Sequence, residues 1–181
     1  MSNSYAQPIL RTADLSKAMR IIEKLLEMAD LRGLEVDFTA SVSSPNSLSR
    51  VLAVLPDAEW WADGASGTGG DPSAYLPVWL SRWAGAPETV EPFLTAVGDS
   101  PATVRWDFNA WPEAPEVGLG VGGTRGAFVT LCAHARDLEL EEPAADYTVF
   151  VHVKQVEAER APWLAAQVGL RVIGDLVMAP H

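Results

Sequence analysis

Apolar residues return every three or four positions early in the chain. Leu15, Ala18, Met19, Ile22, Leu25, Leu26 and Ala29 form one stripe, and Lys17, Arg20, Glu23, Lys24 and Glu27 form the opposite face. That period is helical. Thr12 or Asp14 supplies an N-cap and Gly33 a C-cap, so the pattern predicts a helix over 14–32. Residues 1–10 read as a short flexible tail, and 11–181 as one domain. After Gly33 the period changes to two. Leu34, Val36, Phe38 and Ala40 alternate with Glu35, Asp37, Thr39 and Ser41, which predicts a half-buried strand over 34–42. A short helix over 48–55 then stops at Pro56. Residues 57–71 read as an irregular Gly-rich loop, long for a passive connection. Leu76, Trp79, Leu80 and Trp83 recur at i, i+3, i+4 and i+7 and predict a helix over 73–84. Another follows over 88–97.

From about residue 100 alternation dominates. Val104, Trp106 and Phe108 oppose Thr103, Arg105, Asp107 and Asn109, predicting a strand over 102–109. Further strands are expected near 117–121, 126–136, 147–154 and 170–178, with a turn at Gly122, Gly123 and Thr124 and a helix over 156–168 before Gly169. The expected fold is α+β: a helical N-terminal half packed on one face of a mainly antiparallel sheet. Parity then sorts the side chains. Thr130, Cys132, His134 and Arg136 share a face, as do Thr148, Phe150, His152 and Lys154, leaving the valines between them for the helices.

If the two strands form a hairpin with a symmetric connection, Cys132 lies opposite or diagonal to His152, and opposed side chains sit about 5 Å apart at Cβ. A thiol beside an imidazole is the arrangement of a thiolate nucleophile, and Asp107 could orient the histidine. Cys132, His152, His134 and Asp107 are therefore the candidates for catalysis. Against them, no local signature of a thiol enzyme is present, and a lone cysteine commonly packs as a small hydrophobe. The chain contains no His-x-His, His-Glu-x-x-His or paired-Cys spacing, and His181 is terminal, so no metal is expected. Gly118, Gly120 and Gly123 match G-x-G-x-x-G, but strand-like sequence flanks them on both sides, and the glycines at 64–70 lack a following Lys-Ser/Thr. No nucleotide or other cofactor is expected.

Charge narrows the partners. Thirteen basic residues against 24 acidic ones give a formal net charge of -11. Such a field repels phosphate backbones and anionic headgroups, arguing against nucleic acid and membrane, and attracts a basic protein. One cysteine, no apolar run of membrane-spanning length and no leader-like N-terminus point to the cytoplasm.

Seven tryptophans complete the picture. Trp79, Trp83 and Trp106 fit apolar faces; Trp60, Trp61 and Trp111 have no stripe to join and are candidates for binding. Asp137, Glu139, Glu141, Glu142 and Asp146 form an anionic connection between two strands, able to enter a basic cleft. In size, acidity and aromatic content the chain is similar to bacterial toxin-immunity proteins. The resemblance, which covers no specific residues, implies a non-catalytic acidic inhibitor that holds a basic protein partner; the acidic connection and the unstriped tryptophans make Trp60, Trp61, Trp111, Asp137, Glu139, Glu141 and Glu142 the contact candidates. The alternative is a small-molecule-binding protein or an enzyme of specialised metabolism, with a Trp-lined pocket between sheet and helices. A third reading is a homo-oligomer that buries its tryptophans.

Overall fold

The computed structural model describes residues 4–122 and 126–179. Asp14 caps α1 (Leu15–Met28): its extended backbone lets the carboxylate accept the Lys17 N–H at 3.2 Å, satisfying a donor that the first turn leaves free. Ala18, Ile22 and Leu25 are fully buried along the stripe. The helix stops at Met28, short of the expected Arg32, because Asp30 leaves the helix axis to bridge Ala110.

Among the described residues a single sheet of nine antiparallel strands carries the fold. They are β1 (Ser4–Thr12), β2 (Glu35–Val42), β3 (Glu59–Ala62), β4 (Ala65–Thr68), β5 (Val78–Gly85), β6 (Ala102–Asp107), β7 (Phe128–Ala135), β8 (Pro143–Lys154) and β9 (Val177–Met178). Their order across the sheet is β4-β3-β5-β2-β6-β7-β8-β1-β9. Three further helices, α2 (Pro45–Val54), α3 (Val90–Val97) and α4 (Arg160–Gln167), are spread along the chain. The first half is therefore not a helical half, since β1 to β5 all fall within it.

Five expectations are corrected. The supposed tail is β1, inserted between β8 and β9, where Ile9 and Leu10 are buried. The Gly-rich loop is a hairpin: Asp63 and Gly64 join β3 to β4, with Gly64 at φ +76 as a tight two-residue turn requires. The segment expected to be a helix over 73–84 is mostly β5, which fills the sheet between β2 and β3 and buries Val78 and Leu80. Tryptophan and valine suit a pleated, half-buried surface as well as they suit a helix face. Near 117–121 there is a 3₁₀ turn (Pro115–Val117) with isolated bridges, and the strand expected over 170–178 shrinks to β9. The turn at Gly123 and Thr124, and His181, lie outside the described residues.

Strand parity sets where the core sits. Val36 and Phe38 of β2, Val104 and Trp106 of β6, Val129 and Leu131 of β7, and Val149 and Val151 of β8 merge into one cluster. Ile22, Leu25, Val51, Phe93 and Leu164, contributed by the four helices, join the same cluster. The alternate residues of those strands turn to the other face of the sheet, and there the polar and titratable side chains collect. Among the described residues no helix is long and apolar enough to cross a membrane.

Candidate functional site

An aromatic wall stands on that second face. Trp61 of β3 pairs with Trp79 of β5, their ring planes 11° apart and their centroids 6.1 Å apart. Trp83 follows on the same strand, and Trp61 and Trp83 remain 40% and 44% exposed. Beside them Asp37 of β2 lies directly across from Arg105 of β6. One Asp37 carboxylate oxygen accepts from Arg105 Nη2 at 2.8 Å and from Nε at 3.3 Å; the other accepts the Ala84 N–H at 2.9 Å. The guanidinium is held between two rings, 5.4 Å from the Trp83 centroid and 4.9 Å from that of Phe128. Thr39, Thr103 and Thr130 lie on β2, β6 and β7, and Leu138 and Glu139 close the far side. Together these groups line a cleft of about 360 Å³.

His152 lies at the base of the cleft. It is buried, with Nε2 2.8 Å from the Thr130 hydroxyl and Nδ1 3.5 Å from that of Ser4. Burial, and then the positive field of Arg105, pushes its pKa down from 6.5 to about 3, so the imidazole is neutral at neutral pH. Because the unfolded chain protonates first, this residue contributes stability above about pH 6.5 that is lost as pH falls towards 3. His152→Gln, which keeps a polar group for Thr130, is expected to flatten the fall in urea midpoint between pH 7 and pH 4. An unchanged slope would place the acid sensitivity elsewhere.

The proposed thiol–imidazole pair does not form. Cys132 lies opposite Thr148, and His152 opposite Phe128. The symmetric connection assumed for the hairpin fails because β8 begins at Pro143; the register shift beside His134, whose φ is +56, makes up only part of the difference. Cys132 is fully buried with Ala6, Phe150 and Ala179, its Sγ 3.5 Å from the Asp137 carbonyl. Burial, helped by the Asp137 and Glu139 carboxylates, pushes the thiol well above its ordinary range, which disfavours a thiolate. His134 packs its ring 5.1 Å from that of Tyr147, away from the cleft lining. Asp107, at the end of β6, also lies outside that lining. Desolvation raises its pKa to about 6, against the lowering effect of Arg105 and with the help of Asp37 and Glu35.

The binding candidates separate. Trp111, expected at the surface, is 1% exposed; its indole N–H donates to the His152 carbonyl at 2.7 Å and its ring meets Phe108 edge-on. Trp60 is half-buried, donating to the Gly69 carbonyl at 3.0 Å and stacking on Tyr75. Gly67 makes room for its ring, since a Cβ there would come within 2.8 Å. Of the three, Trp61 alone reaches the cleft, where Trp79 and Trp83 join it. Their helical spacing points to a helix core, although Trp79, Ser81 and Trp83 also read as alternate positions of a strand.

The acidic connection is shorter than 137–146, because β8 begins at Pro143. The Asp137 carboxylate accepts the N–H groups of Glu141 and Glu142 at 3.0 and 2.7 Å and so closes the loop, while Leu140 is buried. Leu138 and Glu139 are thereby turned over the cleft, and Glu141 and Glu142 stay exposed.

Among the described residues no three His, Cys, Asp or Glu side chains gather as a metal site requires. Comparison with protein-family models, with curated proteins and with solved structures gave no match, so geometry alone defines the site.

Proposed function

We propose that the chain is a binding protein whose ligand is a small molecule seated in the Trp-lined cleft. One observation carries this reading: two neighbouring strands bring Trp61, Trp79 and Trp83 around about 360 Å³ of open space. That volume falls within the range of small-molecule pockets, about 300–1,000 Å³, and aromatic walls with a few fixed polar groups are their usual form. The Asp37–Arg105 pair and the rings about it hold the wall in place before any ligand arrives, which lowers the cost of binding. Threonine hydroxyls on three strands supply orientation. The seat lies on the face of the sheet opposite the aliphatic core, not between sheet and helices. A neutral His152 and a protonated Cys132 favour binding over covalent chemistry. A cytoplasmic setting accords with Cys132 as a free thiol.

A thermal-shift screen of small metabolites, followed by calorimetric titration of each hit, tests the proposal. Hits should lose about tenfold or more in affinity to Trp61→Ala and to Trp83→Ala, as contacts at a binding hot spot do. Affinities indifferent to both substitutions would defeat it.

Recognition of a basic protein is a second reading. It is favoured by Glu139, Glu141 and Glu142 standing exposed on one loop beside the cleft of a chain with net charge -11. Charge reversal at all three should then slow association and flatten its salt dependence. A partner whose on-rate ignores ionic strength would contradict this reading.

A further inference from the structure

We infer that the cleft takes an organic cation, an ammonium group on a small apolar body, held by the tryptophan faces and the Glu139 carboxylate. The inference rests on the cleft being the binding seat. Three charged side chains line it: Asp37, Arg105 and Glu139. The first two cancel, for Arg105 places two nitrogens on one Asp37 oxygen, with side-chain exposures of only 18% and 12%. An anionic ligand would have to draw Arg105 away from Asp37 and from between Trp83 and Phe128, leaving a desolvated carboxylate behind. Glu139 has no ion pair among the described residues, so the lining carries one uncompensated negative charge.

The walls select in the same direction. An indole face is the negative pole of the ring quadrupole and attracts a cation within about 6 Å of its centroid. Arg105 already occupies Trp83 in this way, and Trp61, 40% exposed in the cleft lining, is left for a second cation. Neutral His152 adds no opposing charge. The acidic body of the molecule raises the local concentration of cations at the cleft mouth. A neutral ligand would gain contact area here but nothing from Glu139.

Calorimetric titration of the full chain with matched probes tests the inference. The probes are choline, its neutral isostere 3,3-dimethylbutan-1-ol, the anion 3,3-dimethylbutyrate and a lysine-rich peptide. Choline is expected to bind at least about tenfold tighter than the neutral isostere, and the anion weakest of all, a margin in keeping with a desolvated cation–π contact. Choline binding supports a free small cation; binding by the peptide alone overturns the inference and favours a lysine of a basic protein partner. Glu139→Gln, at an exposed position, should erase most of the preference for the cation, and Trp61→Ala should weaken every probe. Equal or tighter binding of the isostere or the anion overturns the inference. If that binding is still lost in Trp61→Ala, the cleft remains the seat and only the ligand class is wrong. Failure of all four probes, with screen hits that carry no ammonium group and depend on Trp61, also overturns the ligand class alone. Failure of every compound overturns both readings.

Discussion

Trp111→Ala is expected to lower the unfolding free energy by about 3–5 kcal/mol, the range for truncating a large buried aromatic, while ligand affinity of the folded protein stays unchanged. The ring is 1% exposed and lies edge-on against Phe108, so truncation opens a cavity that rigid neighbours cannot fill. The lost indole also leaves the buried His152 carbonyl without this donor. Trp111→Phe should recover part of the loss, since it restores ring volume but not the N–H. Urea unfolding of the three proteins checks the order. A loss near zero for Trp111→Ala, coupled with weakened binding, would return Trp111 to the binding role that its place outside any apolar stripe suggested.

Arg105→Ala is expected to cost about 3 kcal/mol, at the low end for breaking one side of a buried ion pair. The Asp37 carboxylate, 12% exposed in the intact pair, would keep the Ala84 N–H as its remaining partner in the cleft wall. Losing the guanidinium also removes the cation that Trp83 and Phe128 hold between them. The double variant Asp37→Ala with Arg105→Ala should be less damaged than the sum of the single losses, with a coupling of about 0.5–3 kcal/mol. A double-mutant cycle by denaturant unfolding measures it. Strict additivity would show that the two residues stabilise the sheet independently and that the cleft wall is not braced by their pair.

Much of the framework was legible from local pattern. The stripe of α1 is long enough for its period to be unambiguous, and β2, β6, β7 and β8 alternate cleanly between aliphatic and polar positions. That alternation also placed Asp37, Arg105, Thr130 and His152 on faces away from the valines. What brings them together was not legible, because the pairing of Asp37 with Arg105 spans 68 positions and depends on β2 and β6 being neighbours. The same limit hid β1, whose partner β8 lies at the other end of the chain. Local evidence misled at 73–84, where Leu76, Trp79, Leu80 and Trp83 satisfy a helical spacing and Trp79 and Trp83 also satisfy a strand's. The sheet decided the matter by leaving a gap between β2 and β3. The register of β7 against β8 turned on the start of β8 at Pro143 and on an irregularity where His134 alone faces three residues of β8, which no periodicity announces.

The central claim, that the cleft is where a ligand sits, is tested most directly by fluorine NMR of the protein grown with 5-fluorotryptophan. Seven resonances, one for each tryptophan, can be assigned by single Trp→Phe substitutions. On saturation with a ligand from the screen, the signals of Trp61, Trp79 and Trp83 should move, and those of buried Trp106 and Trp111 should stay within a fraction of that shift. A saturating ligand that leaves the cleft trio unmoved, or moves Trp163 instead, would contradict the account.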